Sequence, residues 1–300
     1  MTDPADPADP ADPTGRTTAD GRPELPPIMT LDELRLLEAA GPAPVVVDVR
    51  WYLDGRDGRT AYEAGHVPGA RFIDLDRVLS SPPTAVAGRH PLPPAETFAA
   101  GLAEAGIGDD DPVVAYDDLG GMVAGRLVWM LRIIGAPAAL LDGGVQTYDD
   151  ELVVGPGPAT PLPARRRVVP WPAGAVASAD EVARHVAGGG VVADSRAGER
   201  YRGETEPVDA RAGHVPGAIN LPFADNLVDG RFLPRGELAE RFRSAGVDGD
   251  TIFYCGSGVS ACHNVLAAEA AGLGRPRLYV GSWSQWSADD GRPVAVGDRP

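Results

Sequence analysis

Cysteine is nearly absent from this 300-residue chain, which holds only Cys255 and Cys262. Two thiols are too few for a disulfide framework, so a reducing compartment, the cytoplasm, is the expected setting. Long hydrophobic runs are also lacking. Apolar residues make up 43% of the chain, yet no stretch of about 18 in a row occurs, which argues against a membrane span and for a soluble protein. Net positive charge is missing as well. A formal charge of −16 disfavours nucleic acid and anionic membranes as partners, because both need a basic face. The same charge repels small anions at long range, so an anionic substrate has to be held by local arginines. No basic segment followed by an apolar one opens the chain, and the N-terminus does not read as a secretory signal.

What is present points to two domains, since 300 residues suffice for two cores of roughly 150 residues each. Residues 1–27 open with Asp3-Pro4-Ala5-Asp6-Pro7-Ala8 and continue in that vein. Such a segment cannot bury apolar surface and is expected to be disordered. Beyond it the chain repeats itself. Val45-Val46-Val47-Asp48-Val49-Arg50 returns as Val191-Val192-Ala193-Asp194-Ser195-Arg196, and Gly65-His66-Val67-Pro68-Gly69-Ala70 returns unchanged at residues 213–218. Pro112-Val113-Val114-Ala115-Tyr116 then matches residues 250–254, and Leu141-Asp142-Gly143-Gly144 matches residues 279–282. Four matches in one order indicate a tandem duplication. We expect domains at 28–155 and 173–300, with a Gly/Pro-rich linker at 156–172.

Within each copy, β-branched runs alternate with alanine- and leucine-rich helical stretches, the pattern of a mostly parallel sheet covered by helices on both faces. Leu31 to Ala39 and Ala179 to Val186 read as opening helices after the caps Thr30 and Ser178. The first copy is about ten residues longer between the shared histidine and the position of Cys255. The surplus falls in a proline-rich loop from Ser80 to Pro94.

The chemistry gathers at Cys255-Gly256-Ser257-Gly258-Val259-Ser260-Ala261, which follows an apolar strand and leads into a helix. Small residues let successive N–H groups turn inward as an anion-binding nest at a helix N-terminus. A cysteine beside such a nest is expected to be a nucleophilic thiolate. A structural cysteine at a strand end is the plainer reading, but packing alone does not require the glycines and hydroxyls that follow. This loop resembles the active-site loop of the rhodanese-type sulfurtransferases, and among them that of the 3-mercaptopyruvate sulfurtransferases, which reads C-G-S-G-V-[TS]-A. Thiosulfate-using members typically carry basic residues where this chain has Gly256 and Ser257.

The resemblance covers the chain from about Pro27 onward and implies two tandem rhodanese-like α/β domains. Aligning the copies puts Asp117 opposite Cys255, so the first is expected to be inactive and to use its carboxylate as a helix cap. The second would carry sulfane sulfur as a Cys255 persulfide, the loop residues Gly256, Gly258, Val259, Ser260 and Ala261 holding the substrate. The donor would be a small sulfur compound and the acceptor a thiol, cyanide or a thioredoxin-like protein, with no metal and no organic cofactor.

The Gly-His-Val-Pro-Gly-Ala motif reads first as a loop shaper, since it occurs in a copy without a nucleophile. The resemblance adds a second role, in which His66, with Asp57 before it, activates Ser257 as a proton relay. By the same resemblance Arg200 binds substrate, as arginine recognises carboxylates and thiosulfonates bidentately. Arg196 repeats Arg50 and reads as an internal ion pair, and Arg202 as solvated. Mercaptopyruvate-specific relatives carry a further arginine shortly after Glu-Pro, whereas here Glu206-Pro207 is followed by Val208 and Asp209. Arg211 is the candidate replacement.

Cys262 reads as a small buried hydrophobe. Trp283 and Trp286 read as pocket wall or core cap, and Asp74 and Asp76 as solvated turns or helix caps. A cysteine phosphatase needs an arginine closing a C-x5-R loop, and here Ala261 occupies that position. A non-catalytic sulfur-relay module fits the first copy better than the whole chain. The sequence therefore favours a sulfurtransferase with 3-mercaptopyruvate as donor, and thiosulfate as the alternative.

Overall fold

The computed structural model describes residues 25–158 and 163–300. The tail expected over 1–27 therefore lies mostly outside the described residues. Its last three residues are part of the body: Leu25 is buried, its carbonyl accepts from Arg132 Nη1, and the Pro27 carbonyl accepts from the Leu140 N–H.

The first domain begins with β1 (Ile28–Met29), α1 (Leu31–Ala40) and β2 (Val45–Asp48), followed by α2 (Gly58–Ala64) and β3 (Arg71–Phe72). A π-helical turn at Leu75–Leu79 leads on to α3 (Ala95–Glu104), β4 (Val113–Tyr116), α4 (Ala124–Ile133) and β5 (Ala138–Leu141). The second opens with β6 (Val176–Ala177), α5 (Ala179–Ala187), β7 (Val192–Asp194), α6 (Gly198–Tyr201) and β8 (Ile219–Asn220). A hairpin, β9 (Leu227–Val228) and β10 (Arg231–Phe232), precedes α7 (Arg235–Ser244), β11 (Ile252–Tyr254), α8 (Ala261–Ala270), β12 (Arg277–Tyr279) and α9 (Ser282–Trp286).

Both sheets are parallel and have the same topology, β1-β5-β4-β2-β3 and β6-β12-β11-β7-β8. The central strands β4 and β11 are wholly buried, as continuous apolar runs with helices on both faces require. Thr30 and Ser178 each close a capping box with the glutamate three residues on, Glu33 and Glu181. At the carboxyl end of each sheet an aspartate–arginine pair is buried, Asp48 with Arg50 and Asp194 with Arg196. Each arginine also donates to the glycine carbonyl before the repeated histidine, Gly65 or Gly213, at 2.7 Å.

The segment expected as a linker is described except for residues 159–162, and it is docked rather than loose. Ala164 N–H donates to the Ala103 carbonyl at 2.9 Å, Arg167 pairs with Asp109 at 3.0 Å, and Trp171 Nε1 donates to the Pro93 carbonyl at 2.8 Å. The domains meet through α4 and α8, where Gly125 lets the His263 backbone approach. Arg132 and Glu269 form a salt bridge at 2.8 Å across this contact.

Candidate active site

The loop between β11 and α8 turns on Gly258. Its φ of +76° lies in the left-handed region, and a Cβ there would stand 2.5 Å from the Val280 carbonyl oxygen. That turn brings the Gly258 N–H to 3.1 Å from Cys255 Sγ, and the cysteine itself is buried. The N–H groups of Ser257, Val259 and Ser260 donate to no acceptor among the described residues. They are available to an anion at the α8 N-terminus, where the helix dipole adds positive potential. Val259 and Ala261 turn their side chains into the core, so what they offer a ligand is main chain. The segment after β12 holds the loop from behind. Cys255 N–H donates to Ser282 Oγ at 3.2 Å, while Trp283 and Ser284 N–H donate to the Cys255 and Gly256 carbonyls at 2.9 Å.

The first copy has the same kind of loop with its anion built in. The Asp117 carboxylate accepts from the N–H groups of Leu119, Gly121, Val123 and Ala124 at 2.7–2.8 Å. Burial pushes its pKa up, against the pull of those four bonds.

The expected relay of Asp57, His66 and Ser257 is not assembled. Asp57 caps α2, accepting from Thr60 N–H at 2.6 Å. His66 is buried, with Nδ1 3.0 Å from the Tyr62 carbonyl and its ring stacked on Tyr62 at 4.0 Å. His214 repeats both contacts with Tyr201, at 2.8 and 3.7 Å. An arrangement built twice, once in the copy that has no cysteine in its loop, belongs to the fold.

The histidine at Ser257 is His90, from the loop that lengthens the first copy. Its Nδ1 lies 2.8 Å from Ser257 Oγ. His90 stands edge-on to Trp51 at 5.2 Å, and its carbonyl accepts from Arg126 Nη2 at 3.0 Å. Asp76, on the π-helical turn, sits 3.6 Å from His90 Nε2 and is held by Trp51 Nε1 at 2.9 Å. Burial, with Arg126 and Arg89 nearby, pulls the His90 pKa down to about 3, so the ring is neutral at physiological pH. At 3.6 Å Asp76 makes no direct hydrogen bond. We assign the ring proton to Nε2 because a carboxylate faces it, which leaves Nδ1 to accept from the Ser257 hydroxyl. The sequence reading gave Asp76 only a cap or a turn. His90 went unnoticed because no motif surrounds it; the one signal was its place in the segment the copies do not share.

Other assignments also move. Arg200 reaches the loop, its Nη1 lying 3.5 Å from where a Cβ on Gly256 would stand, and Glu206 pairs with it at 2.6 Å. Arg211 does not replace the missing arginine. Its guanidinium donates to the carbonyls of Trp286, Ser287, Asp289 and Arg292 and ties down the C-terminal segment. Trp283 and Trp286 belong to the core of the second domain rather than to a pocket wall. Arg196 is paired with Asp194 and Glu206, and Arg202 with Glu204 at the surface. The Cys262 thiol donates to the Gly258 carbonyl at 3.4 Å, and burial raises its pKa to about 12, so it is no competing thiolate.

Fold and loop together define a two-domain α/β protein in which one copy has a cysteine at its anion nest and the other a carboxylate. The Rhodanese-like domain family matches residues 30–151 and 178–289. The chain therefore belongs to the rhodanese family. It is 43% identical over 267 residues to a Pseudomonas aeruginosa protein named "Probable 3-mercaptopyruvate sulfurtransferase", covering 86% of this chain and 94% of that one. A Mycobacterium tuberculosis protein named "Putative thiosulfate sulfurtransferase SseB" is 40% identical, over 90% of this chain and 97% of its own. Among solved structures, the 3-mercaptopyruvate sulfurtransferase of Leishmania major superposes with a TM-score of 0.74 at 32% identity, covering 87% of this chain and 75% of that chain.

Proposed function

We propose that the protein is a sulfurtransferase that takes sulfane sulfur from 3-mercaptopyruvate onto Cys255 and passes it to a thiophilic acceptor. The observation that carries this reading is the pairing of Ser257 with His90 at 2.8 Å, two residues after a buried cysteine whose sulfur already accepts a main-chain N–H. The Cys255 thiolate attacks the donor sulfur, an S–S bond forms, and the C–S bond breaks to leave the enolate of pyruvate. The proton that leaves the donor thiol is the one the enolate carbon needs. Neutral His90 and the Ser257 hydroxyl form a relay that can move it. The product anion is a persulfide, stabilised by the loop N–H groups.

Cyanide then removes the outer sulfur as thiocyanate and restores the thiolate. A dithiol such as a reduced thioredoxin-like protein releases it as sulfide while forming its own disulfide. Two half-reactions through a covalent intermediate give ping-pong kinetics. Both cysteines are free, in keeping with a reducing cytoplasm, and no helix among the described residues is long and apolar enough to cross a membrane.

Thiosulfate is the alternative donor, favoured by Val208 in place of the expected second arginine and by the name of the mycobacterial relative. Steady-state kinetics with each donor and cyanide decide between them. We expect the larger kcat/KM with 3-mercaptopyruvate and a mass gain of one sulfur on the Cys255 peptide. Sulfur transfer by a Cys255→Ser variant would overturn the mechanism.

A further inference from the structure

Arg126, on α4 of the first domain, is fully buried and has no carboxylate partner among the described residues. Its bonds all go to carbonyl oxygens. Nη1 donates to Gly258 at 2.6 Å, Nη2 donates to His90 at 3.0 Å and to Leu79 at 3.3 Å, and Nε is buried with no acceptor. Arginine keeps its proton in a protein, so this is a buried cation without a counter-ion, which is strongly unfavourable unless an anion stands nearby. The other buried arginines are each paired with a carboxylate, Arg50 with Asp48, Arg132 with Glu269 and Arg196 with Asp194.

The groups around Arg126 identify the anion. Burial lowers its pKa, and the sulfurs of Cys262 and Cys255 raise it. Cys262 is neutral, its own pKa pushed up to about 12 by burial, and His90 is neutral as well. Arg89 and Arg200, which face Gly256, are paired with Asp209 and Glu206. The Cys255 sulfur is left as the group of this cluster that can answer the charge. Gly258 joins the two, since its N–H donates to Cys255 Sγ at 3.1 Å while its carbonyl accepts from Arg126. That carbonyl shares a peptide group with the Val259 N–H, so the guanidinium polarises one of the loop donors open to an anion.

We propose that Arg126 is a positioning residue that holds the Cys255 sulfur as an anion, its charge acting from the first domain across the Gly258 peptide. This rests on Cys255 being the nucleophile of the proposed reaction. The first copy then supplies the second with a counter-charge for its sulfur as well as with the histidine of the Ser257 relay.

The test follows alkylation of the Cys255 peptide by iodoacetamide, a neutral reagent, as a function of pH. Wild type, Arg126→Met and Arg126→Lys are compared, with folding checked by circular dichroism. We expect Arg126→Met to react about tenfold or more slowly at pH 7 and to reach at least the wild-type rate at high pH, where the sulfur is ionised in both. Arg126→Lys keeps the charge and should recover most of the loss. Equal rates at pH 7 overturn the proposal, and so does a loss of the same factor at every pH, which marks a misplaced sulfur rather than a protonated one. Should Arg126→Met not fold, Arg126→Lys decides alone: a wild-type profile upholds the role of the charge, and a deficit at pH 7 overturns it. No sulfur donor takes part, so the donor reading fails separately. If alkylation follows the expected pattern but 3-mercaptopyruvate adds no sulfur to Cys255, the counter-charge stands and the reaction does not.

Discussion

His90 and His66 are both buried first-domain histidines bonded through Nδ1, and what each partner can do separates them. Ser257 has a proton to exchange, while the Tyr62 carbonyl can only hold a ring in place. His90→Gln and Ser257→Ala are therefore each expected to lower kcat for 3-mercaptopyruvate by about 10²–10⁴-fold. The double variant should lose little more, because the two act as a unit. His66→Gln should instead lower stability, by about 1–3 kcal/mol for a buried bond left unmade, with kcat retained. Asp57→Ala should cost about 1 kcal/mol as a lost cap, again with kcat retained. Kinetics alongside urea denaturation separates these outcomes; a stable but inactive His66→Gln protein would reinstate the Asp57–His66 relay.

The element that matters most is the loop between the π-helical turn and α3, which carries first-domain residues to the second-domain sulfur. It docks by its backbone: Arg89 N–H donates to Ser284 Oγ at 3.1 Å, and Gln285 Nε2 donates to the Val86 carbonyl. Gly88 makes the close approach possible, with φ at +88° and a Cβ position only 2.6 Å from the Gly281 carbonyl oxygen. Gly88→Ala should therefore lift the loop, taking Arg89 and His90 with it. A fall in kcat/KM of about tenfold or more is expected, since misplacement by an ångström is already costly, while the rate of Cys255 alkylation is not lowered. Undiminished kcat/KM would mean the loop is not needed in place.

This loop also marks where the sequence stopped being legible. Strand runs, capping boxes and duplicated motifs are local patterns, and they carried both sheets and the nucleophile loop. Repetition likewise marked Arg50 and Arg196 as members of internal ion pairs, and the structure supplies their partners, Asp48 and Asp194. The partner of Ser257 depends on how a proline-rich excursion folds across a domain boundary, which no local pattern encodes. His66 drew attention by standing in a conspicuous motif, yet a motif shared with a copy lacking the cysteine is evidence for a structural role. Residues special to the chemistry lie where the copies differ, as His90 does.

At the scale of the whole molecule, the domains are joined through one apolar cluster drawn from both, among its members Val47 and Leu127 of the first domain and Phe253 and Leu266 of the second. Arg126, fully buried in α4, fastens the boundary by donating to the Gly258, His90 and Leu79 carbonyls. His263 sits there too, bonded to the Gly120 carbonyl at 3.1 Å, and its pKa, like that of His90, is pulled down to about 3 by burial. A histidine held neutral in the folded state takes up no proton between pH 6.5 and about 3, whereas the unfolded chain does so below about 6.5, so acid favours unfolding across that window. Buried carboxyls such as Asp117 and Asp209, with raised pKa values, act in the opposite sense, and comparing wild type with His90→Gln cancels them. The stability of wild type relative to His90→Gln should fall by about 1.4 kcal/mol for each pH unit below 6.5. It should stay constant above that pH. Urea denaturation from pH 7.5 to 5 measures the difference directly, and a difference independent of pH would mean that folding leaves the His90 pKa at its unfolded value, so that the ring becomes charged below about 6.5 in the folded protein as well.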